Sequence, residues 1–252
     1  MRAGHLLHRN LLAQRRTFGV VVSGFVEPVF YLFAVGIGIG ALVGEVAGPD
    51  GRPVAYAAFV APALLAASAM NGAAFESTFN VFFKLRFART YDAVLATPME
   101  PRDIAVGEAA TALLRGALYA VGFLVVATVL GLARSWWTVL ALPAALLIGF
   151  AFAALGMAAS TFMRSWQDLD LVTLATLPLF LFSATFYPLE AVPPLVQRLT
   201  LLSPLYHGTV LVRGLMLGAP SWSMLGNAAL LLVLGVAGTW VAGRRFAALL
   251  RR

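Results

Sequence analysis

ESTFNVFFKLRFARTYDAVLATPMEPRD, Glu76 to Asp103, is the longest polar interval in a chain made otherwise of long apolar runs. It sets Lys84, Arg86, Arg89 and Arg102 among the acids Glu76, Asp92, Glu100 and Asp103. Apolar segments close on it from both sides, ending near Phe75 and resuming at Ile104. The interval reads as a cytosolic elbow between two membrane spans, and as a surface on which another protein can push.

The rest of the chain supports that setting. Of 252 residues, 61% are hydrophobic and 12% charged, with a mean hydropathy of +0.87. Soluble domains average about 45–50% apolar and about 25% charged residues. A soluble fold of this length has no interior large enough for so much apolar surface, so the composition points to an integral membrane protein. A net charge of +7 taken alone suggests nucleic acid, but cytoplasmic loops of membrane proteins collect Lys and Arg. That account excludes a nucleic-acid partner and makes membrane lipids the expected one. The chain has no Cys, hence no disulfide and no thiolate-bound metal. His5, His8 and His207 are too scattered for a metal site.

Outward from the elbow, six spans are expected: 18–43, 54–75, 104–132, 138–162, 169–187 and 224–243. Each reaches or approaches the roughly 20 residues that cross about 30 Å of hydrocarbon at 1.5 Å per residue. The first apolar run is longer than the roughly 7–15 residues of a signal-peptide core, so it reads as a retained span. Residues 1–16 form an amphipathic pattern with Arg2, Arg9 and Arg16 on one stripe and Ala3, Leu7 and Leu11 facing away. This is either an interfacial helix on the inner leaflet or a basic flank that only fixes topology. With the N-terminus inside, the inner segments hold Arg2, Arg9, Arg15, Arg16, Lys84, Arg86, Arg89, Arg102, Arg164, Arg244, Arg245, Arg251 and Arg252. The outer ones hold Arg52, Arg134, Arg198 and Arg213. The asymmetry predicts a multi-pass inner (cell) membrane protein with both termini cytoplasmic.

Segment 188–221 is apolar but interrupted by Pro188, Pro193, Pro194, Pro204 and Pro220. No piece between these prolines is long enough to span, so two short helices, about 195–202 and 205–217, are expected in a re-entrant or interfacial outer hairpin. Within the elbow, 91–96 is expected as a short helix that Pro98 stops, because a residue before proline avoids helical geometry. Pro101 suits the first turn of the next helix and Asp103 complements its positive end. A proline-defined corner transmits a push better than a loose linker, although an ordinary inter-span loop is the alternative.

The stretches YDAVLATPMEPRDIAVGE (Tyr91–Glu108) and LLSPLYHGTVLVRGLMLG (Leu201–Gly218), with the Glu27–Pro28 pair and the basic N-terminal helix, resemble the membrane subunits of ABC-2 type transporters. The resemblance is closest to the branch of lipo-oligosaccharide (nodulation-type) exporters and daunorubicin-resistance permeases. It implies an all-α membrane fold and a coupling helix in the elbow that docks on a separate ATPase. It also implies an outer helical hairpin before the last span, and two permease chains per transporter, as a homodimer or a heterodimer. Matched by position, the coupling residues are Tyr91, Asp92, Leu95, Pro98 and Gly107, and the hairpin residues are Ser203, Pro204, His207 and Arg213. ATP and Mg would belong to the partner ATPase, with no cofactor on this chain. In keeping with that, no phosphate-binding G-x-x-x-x-G-K-[ST] motif occurs.

Two ionisable residues fall within the spans. Glu27, beside the helix-kinking Pro28, is either a polar lining of a pathway or half of an interhelical pair, or else an interfacial carboxylate. Arg115, seven residues after Glu108, is expected to snorkel to the inner headgroups or to pair with Glu27. The functional expectation is a non-enzymatic permease subunit that moves an amphipathic, lipid-linked or drug-like molecule outwards. A proton-coupled carrier is the alternative, and it would need a chain of titratable groups where only Glu27 and Arg115 are available. A membrane enzyme would need a nucleophile–base or paired-carboxylate constellation that the spans lack.

Overall fold

A computed structural model describes residues 26–250, without the side chain of Leu250. The expected interfacial helix 1–16 and the start of the first span lie outside the described residues. The remainder is almost entirely helical. Helix α1 covers Val26–Val43 and is π-helical over Leu32–Ile39. It ends at Gly44, whose φ of 74° is a left-handed conformation that suits glycine. A small antiparallel ribbon follows, β1 (Glu45–Ala47) on β2 (Pro53–Ala55), with Val46 opposite Val54.

Helix α2 is the axis of the molecule. It runs as one apolar rod over Tyr56–Arg86, with a π-helical turn at Glu76–Asn80. The sequence places the end of this span at Phe75, but the helix continues for eleven residues beyond it. The physical reason is the apolar side chains Phe79, Val81, Phe82 and Leu85, which continue the helical spacing beyond the polar Glu76 and Asn80 and stay in the core. The elbow is therefore shorter than 76–103. It comprises Phe87 to Glu100, with the short helix α3 (Thr90–Leu95) inside it.

Helix α4 (Pro101–Val129) starts with proline in its first turn and a capping box in which Glu100 Oε and Asp103 Oδ2 satisfy backbone donors reciprocally. That agrees with the corner read from the sequence. Helix α5 (Ala141–Ser160) is entered through a 3₁₀ turn at Trp136–Leu140, where Trp136 and Trp137 stack at 4.0 Å. A second 3₁₀ turn, Trp166–Leu169, leads into α6 (Asp170–Leu181). There Asp168 Oδ2 accepts from the backbone N–H of Arg164 (2.7 Å) and Ser165 (3.0 Å), which holds its carboxyl below the usual carboxylate range.

The fifth expected span, 169–187, is the main departure. Helix α6 has 12 residues, about 18 Å at 1.5 Å per residue, and ends where Ala184 turns left-handed (φ 54°). Ser183 and Thr185 Oγ atoms both reach the Phe180 carbonyl and close off the helix end. Among the described residues, five helices are long and apolar enough to cross a membrane: α1, α2, α4, α5 with its 3₁₀ entry, and the last, α9 (Ser223–Leu250). The two short helices expected between Pro188 and Ser221 are present, as α7 (Pro194–Leu202) and α8 (Pro204–Leu217).

The main core gathers on α2, whose Phe59, Leu64, Leu65 and Met70 meet Phe123 of α4, Ile148 and Phe152 of α5, and Leu205 and Val212 of α8. In lipid, apolar burial does not drive helices together, so close packing and hydrogen bonds must. Small residues supply the closeness. A Cβ on Gly156 of α5 would sit 2.6 Å from Ser77 and Thr78 Oγ atoms of α2. One on Gly238 of α9 would sit 2.8 Å from the backbone of Ala154. By contrast, α6 buries only Thr176 and exposes Leu171, Leu174 and Leu177.

Candidate functional site

Among the described residues, three regions carry the polar chemistry. The first is the elbow. Arg89 enters α3 with a left-handed φ of 45°, an uncommon conformation for a residue with a side chain, and this turns the helix back under the bundle. On its inner face, Tyr91 and Val94 are buried with Val81, Ile104, Met157 and Phe246, and the Tyr91 ring lies 5.7 Å from that of Phe246 on α9. The outer face presents Asp92, Ala93, Ala96, Thr97 and Pro98 to solvent. Of the residues assigned by resemblance, Asp92 and Pro98 lie on this surface. Tyr91 is wholly internal, Leu95 is half-buried against the inner cluster, and Gly107 is buried in α4.

The elbow is clamped at its base. Lys84, near the end of α2, places Nζ 2.9 Å from both carboxylate oxygens of Glu108 on α4, and the two side chains are 14% and 3% exposed. Arg86 donates to the carbonyl of Met163 at 3.0 Å, tying the same end of α2 to the chain leaving α5.

The second region is a cavity of about 280 Å³ between α1, α2 and α4, lined by Glu27, Tyr31, Asn71, Glu76, Arg115 and Tyr119 among others. The structure brings Glu27 and Arg115 to one cavity but does not pair them. Arg115 Nη1 bonds to Glu76 Oε2 instead, and Glu76 Oε1 accepts from Asn80 at 2.9 Å. The expectation that Arg115 snorkels is thereby corrected. Its guanidinium is held inside the bundle because an internal carboxylate satisfies it at closer range than headgroups do. Glu27 is exposed at the cavity edge, and Pro28 beside it is buried.

The third region is the helical hairpin α7–α8. Arg213 of α8 is 6% exposed. Its guanidinium carbon lies 3.8 Å from the Phe59 ring centroid. Nε donates to the Phe59 carbonyl at 3.1 Å and one Nη to that of Ala184 at 2.8 Å. His207 bridges Asn227 on α9 (2.7 Å) and the Leu201 carbonyl (3.0 Å). Backbone carbonyls and Asn227 satisfy both side chains, Arg213 in the buried interior and His207 half-buried at its edge. Ser203 is buried at the start of α8, and Pro204 holds its first turn. Beside Arg213 lies a cavity of about 220 Å³, also reached by Tyr206 and Glu190.

Sequence reasoning missed Glu76 as the partner of Arg115, Lys84–Glu108 as the clamp, and Phe59 as the platform for Arg213. The apolar Phe79, Val81, Phe82 and Leu85 beyond Phe75 were the available signal that Glu76 and Lys84 lie on a continuing helix; the face they present to α4 is set by the π-helical turn at Glu76–Asn80.

The comparisons agree with this architecture. The model of the ABC-2 type transporter family matches residues 2–217. Nodulation protein J of Rhizobium leguminosarum bv. viciae is 35% identical over 214 residues, covering 84% of this chain and 81% of the relative. Nodulation protein J of Rhizobium meliloti (strain 1021) is 34% identical over 215 residues, covering 84% and 80%. The inner membrane transport permease YadH of Escherichia coli (strain K12) is 28% identical over 196 residues, covering 76% and 75%. A match over most of the chain, to a family whose members are membrane components of transporters, fits a bundle with five membrane-length helices. The chain is thus an integral membrane protein and belongs to the ABC-2 type transporter family.

Proposed function

We propose that this chain is the membrane-spanning subunit of an ATP-driven exporter, working with a second permease chain and with separate ATPase subunits that dock on the elbow. The observation that carries the reading is the two-faced α3. Tyr91 and Val94 lock its inner face to α4, α5 and α9, while Asp92, Ala93 and Ala96 leave its outer face open. A body pressing on that outer face moves packed helices rather than a loop, because a close-packed interior transmits displacement. ATP and Mg act on the partner. This chain's part is to convert the push into a change between inward and outward access.

The cargo is amphipathic, lipid-linked or drug-like. It passes along the cavity between α1, α2 and α4 that carries Glu27, Glu76 and Arg115, polar groups that suit a pathway because intramembrane charges face cavities or partners. The outer hairpin closes the far end. Both termini are cytoplasmic, and α6 completes a sixth crossing together with the segments flanking it.

Two experiments test this. Ala93→Trp and Asp92→Ala should leave the chain in the membrane but abolish co-purification of the ATPase and ATP-dependent efflux. Both variants capturing the ATPase and exporting normally would refute the docking surface. Single cysteines can be placed freely because the native chain has none. Those at Ala88 and Ala248 should be shielded from an impermeant thiol reagent in intact cells, and those at Arg52 and Ala219 labelled. The reverse pattern overturns the orientation.

A further inference from the structure

A groove of about 850 Å³ lies on the outside of the bundle between the first half of α4 and the last half of α9, and it reaches the end of the elbow at Glu100. Its walls are apolar, from Leu113, Phe150 and Val236 at the deep end to Val106 and Trp240 nearer the mouth. Val106 and Trp240 are 51% and 56% exposed. Arg102 and Arg244 stand at the mouth, which Glu100 also lines. The two arginines are neighbours across the helix pair, since the Cγ of Arg102 lies 3.8 Å from where a Cβ on Gly243 would be. Arg244 sits 3.9 Å over the Trp240 ring, an aromatic of the kind that favours the headgroup level. Among the described residues neither arginine is in an ion pair. The acids closest in sequence, Glu100 and Asp103, are turned into the α4 capping box.

We propose that this groove is a site for one anionic phospholipid of the cytoplasmic leaflet, its phosphate between Arg102 and Arg244 and an acyl chain along α4 and α9. The length agrees. From Arg102 to Leu113 is eleven residues, about 16 Å at 1.5 Å per residue and so about half of a 30 Å hydrocarbon core, the depth of one leaflet. The charge also agrees, because two unpaired guanidinium groups over an apolar slot complement a phosphodiester with two hydrocarbon tails. A zwitterionic lipid fills the slot but leaves the mouth with excess positive charge. The site adjoins Pro101, where the elbow turns into α4, so an occupied groove braces that corner. The assignment to the cytoplasmic leaflet rests on the orientation proposed above, whereas binding itself does not.

The test uses the full chain, delipidated in detergent and titrated with phosphatidylglycerol or with phosphatidylcholine of the same acyl chains, bound lipid being counted by native mass spectrometry. One phosphatidylglycerol should be retained per chain in preference to phosphatidylcholine. Arg102→Gln with Arg244→Gln should reduce that preference by about twenty-fivefold, the product of roughly fivefold for each basic residue near a phosphate. Arg244→Lys should largely keep it, which separates charge from fold. Ala110→Phe, which fills the slot, should weaken both lipids equally. Equal binding of the two lipids by the parent, an unchanged preference in the double variant, or displacement of phosphatidylglycerol by inorganic phosphate would overturn the proposal. So would Ala110→Phe altering the oligomeric mass and not the lipid count, because the groove would then be an interface between copies. Detergent has no sidedness, so failure here is distinct from failure of the orientation, which the Ala88 cysteine tests alone.

Discussion

Lys84→Met should loosen the base of the elbow more than any other conservative change near it. The Lys84 ammonium stands 2.9 Å from both oxygens of Glu108, and the Glu108 side chain is only 3% exposed. Met keeps most of the stem volume and removes the charge, leaving a carboxylate that water hardly reaches. Removing one partner of a buried pair costs about 3–5 kcal/mol. Because Lys84 retains 14% exposure, the lower end applies, about 3 kcal/mol or roughly a hundredfold in the folding equilibrium. Replacing both partners, Lys84→Met with Glu108→Met, removes the stranded charge and should return stability to within about 1 kcal/mol of the parent. The assay is unfolding of the purified chain in mixed detergent–dodecyl sulfate micelles, followed by helical circular dichroism, as a double-mutant cycle. The expected coupling is at least about 2 kcal/mol. A single-variant loss under about 1 kcal/mol, or additivity within about 0.5 kcal/mol, would refute the idea that this pair clamps the elbow. In an assembled transporter, the single change should lower ATP-dependent export and the double change restore it.

Gly238→Ala should destabilise by about 1–3 kcal/mol, because its Cβ meets the backbone of Ala154 at 2.8 Å and one of the helices must shift. Gly116→Ala, where nothing lies within 4 Å, should instead stabilise α4 by about 0.5–1 kcal/mol, and thermal unfolding of the two variants side by side checks both signs. Arg213→Met strands the Phe59 and Ala184 carbonyls and should cost about 2–3 kcal/mol. Arg213→Lys should restore only part of this, since one ammonium cannot reproduce the fork that reaches both carbonyls. If export by Arg213→Met falls only as far as the amount of assembled complex, Arg213 is an anchor of the hairpin; loss of export at full assembly marks it as a gate. The lowered carboxyl of Asp168 contributes stability that is present above the unfolded aspartate pKa and is lost as pH falls through the folded value. Acid titration of Asp168→Asn and parent, followed by circular dichroism, should therefore show curves that differ near neutrality and converge below about pH 4.

Much of the fold was legible because its signals are local. Runs of apolar residues mark spans, Pro193, Pro194 and Pro204 divide the outer hairpin where the helices in fact begin, and Pro101 with Asp103 opens α4 as its cap chemistry requires. What was not legible depends on tertiary company. Glu76 looks like the first residue of a loop until Arg115, thirty-nine positions later, arrives beside it on another helix. Arg213 reads as a surface anchor because nothing in its neighbourhood in sequence announces that the Phe59 ring and the Ala184 carbonyl will enclose it. The short α6 escaped because hydropathy averages over windows, whereas its end is set by single hydroxyl bonds from Ser183 and Thr185 to Phe180. In the elbow, the sequence located the helix but not which of its faces would be free.

The π-helical turn at Glu76–Asn80 sets the phase of everything below it on α2. A π turn closes over five residues instead of four, so it carries one residue more than the α-helix would hold. Each residue turns the rod by about 100°. The segment Val81–Arg86 is thus swung round by about that angle from the bearing an unbroken α-helix would give it. That angular offset aims Lys84 at Glu108 and Phe82 at Met163 and Leu169. Winding the same residues as an unbroken α-helix would leave the composition and hydropathy of the rod unchanged. It would nonetheless turn the ammonium of Lys84 away from Glu108 and release α2 from α4 at the corner where the elbow begins.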